Sequence, residues 1–416
     1  MYNLHLTPEQ REIRDTVRDF VVQEIRPVAL QPARLERCER HLPDELLEQV
    51  SRLGLRTLEL GENSGGAGAD NLTACIVLEE LAAGDVGLAC TLARTSSLAC
   101  VLFDHAMSQA QRERFLPDFL DDARYHLALA VDRTEQDADL AWRYHRAPTQ
   151  SSEGALDAVR DDHGDWLING VASFIPNAPL AKLIVLQFKD SAHGRTPVAL
   201  LLPRDTAGMT IRDCEAVPEA GEEGVPRRPW YHGRCGDLVF ENCRVSADLV
   251  LEHAGAFSDE YSQGRGTPQL EAVNLGLGKA AFEAGLDYAK LRVQGGRAIV
   301  GHQAIGTKLA DMAIKLEAAR KMIWEAAWAA DHPEAVADRS LPDLPLQMMA
   351  RVYTAEAVHE VTHEAAELFG AMGIMRDLPM QQYMHDAALF LHSETSVTVA
   401  RFRIAEALAA FDRRAS

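Results

Sequence analysis

The stretch QAIGTKLADMAIKLEAARKMI, residues 303–323, reads as one long amphipathic helix. Ile305, Leu309, Met312, Leu316, Ala319 and Ile323 follow one another at alternating steps of four and three. That spacing lays one apolar stripe along a helix of 3.6 residues per turn, and a stripe this long must bury against other helices. Downstream, Met348, Val352, Ala355, Thr362, Ala366 and Phe369 keep nearly the same face. Upstream, Leu275, Phe282, Leu286 and Ala289 supply another helix. With a last helical segment running to Phe411, these predict a four-helix bundle over residues 256–416.

Moving toward the N-terminus, residues 126–255 change character. Leu183–Phe188, Val198–Leu202 and Leu238–Phe240 are short apolar runs bounded by turn residues, and Trp166–Gly170 reads as a strand and tight turn. Strand patterns without intervening helices predict a small barrel or sandwich. Residues 143–165 and 214–236 are polar and read as long surface loops. Residues 1–125 are helical again. Thr7 can cap, Pro8 suits a first helical position and Gln10 completes a capping box, with Ile13, Val17 and Phe20 on the face that follows. The turn Gly65-Gly-Ala-Gly68 interrupts the helical pattern. The expected class is α+β, mainly α: an N-terminal helical domain, a central β-barrel and a C-terminal four-helix bundle. No internal repeat at solenoid periods is present.

The formal net charge of −20 disfavours a nucleic-acid partner, although a small anionic ligand responds to local charge rather than to the total. The seven cysteines are scattered, with no metal-ligand spacing, so no metal is expected. Cys75, Cys90 and Cys100 sit among apolar residues and read as core thiols. A reducing cytoplasm fits them best. The start lacks the basic and apolar regions of a signal peptide. No apolar run reads as long enough to span a bilayer, so no membrane insertion is expected.

Leu6-Thr-Pro-Glu-Gln10, Gly65-Gly-Ala-Gly68 and Glu79-Glu-Leu-Ala82 come in this order, followed by Arg292-Val-Gln-Gly-Gly-Arg297, Gln303 and Phe369-Gly-Ala-Met-Gly373. Asp386 is then followed eight residues later by Glu394, within His392-Ser-Glu-Thr-Ser396. Along nearly its whole length the chain thus resembles the acyl-CoA dehydrogenase family. The resemblance implies FAD as cofactor and an acyl-CoA thioester as substrate, in the catabolism of a fatty acid or ring acid. It also implies an electron-transfer flavoprotein as acceptor, and a homo-oligomer, at least a dimer and usually a dimer of dimers.

Glu394 then stands at the catalytic base, taking the α proton while flavin N5 takes the β hydride. The Glu394 N–H and an FAD ribityl hydroxyl would hold the thioester oxygen. Arg292 and Gln303 would reach a neighbouring subunit's FAD pyrophosphate and adenine, a use that suits a guanidinium and an amide. Phe369 and Gly370 would bring backbone close to the nucleotide. Ser396 and Thr398 would contact cofactor, Thr395 substrate, and Phe174 would wall the isoalloxazine.

Each residue also has a plainer reading. Arg292 suits a solvated helix end, Gly370 a helix-ending turn, Glu394 a carboxylate at a helix N-terminus, and Phe174 a buried strand aromatic. Arg94 lies in an apolar run where a charge is costly unless paired. It is read as meeting a polar acyl tail with Ser96 and Ser97, or as a structural ion pair. Glu271 lies about a turn beyond the place where some branches carry their base.

The family pattern is incomplete. Gln136-Asp-Ala-Asp-Leu140 replaces a cofactor loop that begins at Thr134-Glu135, and Pro176 stands where Thr or Ser is common near flavin N5. Gly295 and His385 replace a usual Phe and Arg. These departures favour a bulky, cyclic or polar acyl group. They keep two other readings open: a flavin-dependent monooxygenase or oxidase on the same fold, and a non-catalytic CoA-binding subunit.

Overall fold

In the computed structural model, the described residues are 5–37, 39, 41–131, 156–190, 196–213, 232–252, 267–341, 344–392 and 396–409. The main helices before the sheets are α1 (Pro8–Phe20), α2 (Asn71–Ala82), α3 (Val86–Ala99) and α4 (Gln109–Asp121). The strands are β1 (His126–Val131), β2 (Asp157–Arg160), β3 (Trp166–Pro176), β4 (Ala181–Asp190), β5 (Thr196–Pro203), β6 (Met209–Asp213) and β7 (Cys235–Val245). Then come α5 (Thr267–Leu291), a hairpin of β8 (Val293–Gln294) and β9 (Arg297–Ala298), and helices α6 (Gln303–Asp331), α7 (Leu346–Phe369), α8 (Met380–Phe390) and α9 (Val397–Leu408). Contacts divide the chain into two compact units: residues 1–43, 70–90 and 267–404, and residues 44–69, 91–266 and 405–416.

The first unit is helical. The predicted capping box closes α1: Thr7 Oγ1 accepts from Gln10 N at 3.1 Å, and the Gln10 side chain accepts from Thr7 N. The stripe on α6 is buried at Leu309, Met312, Leu316, Ala319 and Ile323. Helices α5 and α7 run parallel in one register. Glu271 meets Arg351, Gly278 packs on Val358, Gly285 on Ala365, and Tyr288 stacks on Phe369. Glycines let α5 come close to its neighbours: a Cβ on Gly276 would sit 2.3 Å from Glu79 O. Charges inside this unit are paired. Arg320 donates Nη2 to Glu79 at 2.7 Å, and Glu80 takes Arg18 at 2.5 Å and Lys279 at 2.6 Å. The Glu79-Glu80 pair of the sequence is therefore structural.

The final helical segment is two helices rather than one. Leu391 and His392 form a turn after α8, and a new helix begins after Ser396. The single helix expected up to Phe411 is corrected accordingly.

The second unit holds two sheets. One has order β1-β4-β5, with β1 and β4 parallel; the other has order β2-β3-β7-β6 and is antiparallel throughout. Both contribute to one core that includes Leu127, Trp166, Ile184, Leu200 and Phe240. Among the described residues the two sheets are not joined edge to edge, and they pack around that shared core as the expected β domain. Gly170, read as ending a turn, instead sits inside β3 at a bulge with φ +112°. Asp157–Arg160, placed in a loop from sequence, is strand β2. The remainder of the two expected loops, 143–155 and 214–231, lies outside the described residues, as does Thr134–Leu140.

The segment Val86–Ala106 is long and apolar enough to cross a bilayer, contrary to the sequence reading, but 89% of its most apolar window is buried inside the protein. That is the signature of a core helix. Against it lies His126, 2% exposed, with Nδ1 3.4 Å from Thr95 Oγ1. Burial, with the Arg56 guanidinium adding to it, pushes this imidazole down from 6.5 to about 3. Between those values the unfolded chain binds a proton that the folded chain does not. The stability linked to neutral His126 is complete above pH 6.5 and is lost as pH falls toward 3. His126→Gln is expected to flatten the acid limb of a Tm–pH profile below pH 6.5. An unchanged limb would remove His126 from that role.

Candidate active site

In the helical unit, the predicted residues gather at the end of the parallel pair. The ring of Phe369 stacks on Tyr288 with centroids 4.2 Å apart, which joins the C-terminal ends of α5 and α7. Gly370 follows with φ +60° and ψ −137°. Only glycine adopts that backbone readily, and no atom lies within 4 Å of where a Cβ would be. Gly373 is fixed for another reason: its Cβ would sit 2.3 Å from Ala366 O. The turn thus presents bare backbone to open space, as close approach of a nucleotide requires.

At the end of α5, Arg292 is exposed, and among the described residues its guanidinium takes no acceptor. The hairpin after it turns through Gly295 and Gly296, both with positive φ. His302 closes the hairpin by donating Nε2–H to Gln294 O at 2.9 Å, which leaves Nδ1 to accept from Arg297 at 3.4 Å. Gln303 is then the first residue of the 29-residue helix α6, exposed at its electropositive end. It lines a groove of about 570 Å³ with Thr307, Lys308, Lys315, Glu360 and Glu364. A free guanidinium and an exposed amide at two ends of one hairpin fit a phosphate and a base edge.

Helix α8 carries Asp386, 2% exposed. The end of α8 is held from below: Arg351 Nη2 donates to Phe390 O at 2.7 Å, and Nη1 donates to Glu271 Oε1 at 2.7 Å. Glu271 therefore belongs to a buried ion pair. Glu394 and Thr395 lie outside the described residues. Ser396 caps α9: its Oγ accepts from Val399 N at 3.3 Å and its carbonyl from Ala400 N at 2.9 Å. Thr398 is exposed in the first turn, and Arg401 pairs with Glu356 at 2.5 Å.

In the sheet unit, Phe174 is 44% exposed rather than buried, and its φ is +60°. Arg94 Nη1 donates to His232 O at 3.2 Å. Asn177 holds the same stretch of helix through Thr91 O at 3.0 Å, so Arg94 and the Phe174–Asn177 corner share one neighbourhood. Ser96 Oγ accepts from Glu59 N at 2.9 Å, and Ser97 Oγ donates to Ala93 O at 2.9 Å. Both hydroxyls are buried in structural bonds, which corrects their assignment to an acyl tail. Among the described residues no three His, Cys, Asp or Glu side chains form a metal site. Sequence reasoning missed Tyr288, Arg351 and Asp237. Their roles depend on partners 81, 80 and 63 positions away, for which one sequence carries no signal.

A family model described as acyl-CoA dehydrogenase, N-terminal domain, matches residues 7–122, and one for the C-terminal domain matches residues 264–409. The chain belongs to the acyl-CoA dehydrogenase family. A probable acyl-CoA dehydrogenase of Mycobacterium tuberculosis is 28% identical over 98% of this chain and 97% of its own length. The structure of butyryl-CoA dehydrogenase from Megasphaera elsdenii superposes with a TM-score of 0.80 at 25% identity, covering 98% of this chain and 100% of that one. A structure of PigA with FAD and proline reaches a TM-score of 0.79 at 20% identity, covering 98% of this chain and 99% of that one, and shows the shared fold alone. Membership of this acyl-CoA dehydrogenase family accounts for the helix–sheet–bundle order and for the landmarks at α2, the β8–β9 hairpin and the Gly370 turn.

Proposed function

We propose that this chain is a flavoprotein oxidoreductase that removes the α and β hydrogens of an acyl-CoA thioester, with Glu394 as the base for the α proton. The anchoring of α8 carries this reading: Asp386 is buried, Arg351 holds the helix end, and Glu394 follows Asp386 by the family's eight residues. A carboxylate takes a proton next to a thioester when desolvation raises its basicity. The Glu394 N–H would donate to the thioester oxygen as charge develops there. Thr395 and Arg94 are the proposed substrate contacts.

The residues present fit FAD, which when bound supplies the acceptor for the β hydride. Arg292 and Gln303 would take its pyrophosphate and adenine, the Gly370 turn would admit its nucleotide, and Phe369 would brace that turn through Tyr288. Ser396 and Thr398, at the α9 N-terminus, and Phe174 would complete the cofactor contacts. Leu291, Val293, Met372, Ile374 and Met375 are exposed on the hairpin and on the turn after α7, which supports an interface with further copies of the chain. An electron-transfer flavoprotein is the proposed acceptor. A cytoplasmic location agrees with five buried thiols.

Anaerobic titration of the FAD-loaded protein with straight, branched, cyclic, aromatic and dicarboxylic acyl-CoA thioesters tests this reading. Bleaching of the oxidised flavin band by one class is expected. No bleaching, with rapid re-oxidation of chemically reduced flavin by air, would point to an oxygen-using enzyme. Purification without FAD would point to a non-catalytic subunit.

A further inference from the structure

Strand β3 alternates normally at first: Trp166, Ile168 and Ala172 are buried, with Leu167 exposed between them. Continued alternation would send Phe174 into the core beside Ala172. Instead Ser173 and Phe174 both face out and Ile175 is buried. The register shows the cause. Ala172 pairs with Leu238 and Ile175 with Gly236, so two residues of β3 oppose Asp237 alone. This is a β-bulge, which re-aims a side chain at the cost of a ladder hydrogen bond. The amide released is that of Phe174, and it donates to the Asp237 carboxylate at 2.9 Å.

The corner is fixed at its other end as well. Asn177 also has positive φ, +64°, and is fully buried. Its N–H donates to Arg234 O at 2.8 Å, its Nδ2 donates to Thr91 O, and its carbonyl accepts from Leu180 N and Ala181 N, each at 2.9 Å. Two non-glycine residues thus hold left-handed backbone within four positions. Such strain persists only where its surroundings over-determine it. Phe174 does not offset it by full core burial, since it remains 44% exposed.

We infer that Asp237 is a positioning residue, whose carboxylate replaces the lost ladder bond and holds Phe174 turned outward against the cofactor. The inference rests on the reading of Phe174 as a wall for the flavin. Asp237 itself touches no reacting group in this account. Its reach is specific: a carboxylate or carboxamide oxygen at that distance satisfies the Phe174 amide, and a shorter side chain does not.

The test uses FAD-loaded protein and reads the visible absorption, visible circular dichroism and reduction potential of the bound flavin, alongside Tm. Phe174→Leu and Asp237→Ala are expected to shift the flavin band and potential in the same direction. Asp237→Asn, which keeps the acceptor oxygen, is expected to match the parent. The double variant should shift no further than either single one, as expected for two residues acting through one contact. If Asp237→Ala does not fold, Asp237→Ser removes the reach while leaving a polar side chain on the sheet. A flavin shift in Phe174→Leu with none in Asp237→Ala or Asp237→Ser would overturn the role of Asp237 and leave the flavin wall standing. No shift in Phe174→Leu would remove the flavin wall and the inference with it. A fall in Tm without a flavin shift in the Asp237 variants would make the contact structural only.

Discussion

Glu394→Gln is expected to slow anaerobic flavin reduction by acyl-CoA about 10³-fold, within the usual range for loss of a general base, while FAD stays bound. Glutamine matches glutamate in shape and keeps the backbone N–H that would meet the thioester oxygen, but it cannot accept the α proton. Binding and reaction should therefore separate: the variant should still perturb the flavin spectrum on binding a substrate analogue, yet fail to bleach with substrate. The acid limb of the pH–rate profile should disappear with the carboxylate. Stopped-flow absorbance with parent and variant checks both. A variant that reduces its flavin at the parent rate would move the base elsewhere on the chain.

Arg351→Met is expected to cost stability rather than chemistry first. The side chains of Arg351 and Glu271 are 3% and 1% exposed, so removing the guanidinium takes a buried counter-charge from the Glu271 carboxylate. Breaking one side of such a buried pair costs about 3–5 kcal/mol, and a fall in Tm on the order of 10 °C is expected. The Phe390 carbonyl at the end of α8 loses its donor in the same change. Replacing both partners, Glu271→Leu with Arg351→Met, should recover most of the loss, because matched apolar residues avoid the desolvation cost altogether. Thermal unfolding of the FAD-loaded proteins decides the matter. Equal losses in the single and double variants would show that the pair does not behave as a buried charge and its counter-charge.

What was legible in one sequence followed from local periodicity and local chemistry. The α6 stripe is buried where its spacing put it, and the Thr7–Gln10 capping box forms. Those signals repeat within a turn or two of helix, so a single chain displays them. The break between α8 and α9 was not visible in the apolar pattern, which Leu391 and Val397 carry across it, but it agrees with the reading of a helix start near Glu394. The bulge at Ser173–Phe174 was equally hidden, since register is a property of two strands and its partner Asp237 lies 63 positions away. Arg94 was seen as an anomaly, correctly by its apolar surroundings, but its His232 carbonyl partner lies 138 positions off. Ser96 and Ser97 were given to a ligand when backbone groups take them, which hydroxyls on buried helices often do.

The most direct test of the central claim is the rate of anaerobic flavin bleaching with the preferred acyl-CoA deuterated at C2, at C3, or at both. Loss of the α proton to Glu394 and of the β hydrogen as hydride predicts a slowed reaction with either label. Bleaching that neither label slows, or turnover that proceeds only with oxygen, would contradict α,β-dehydrogenation by this chain.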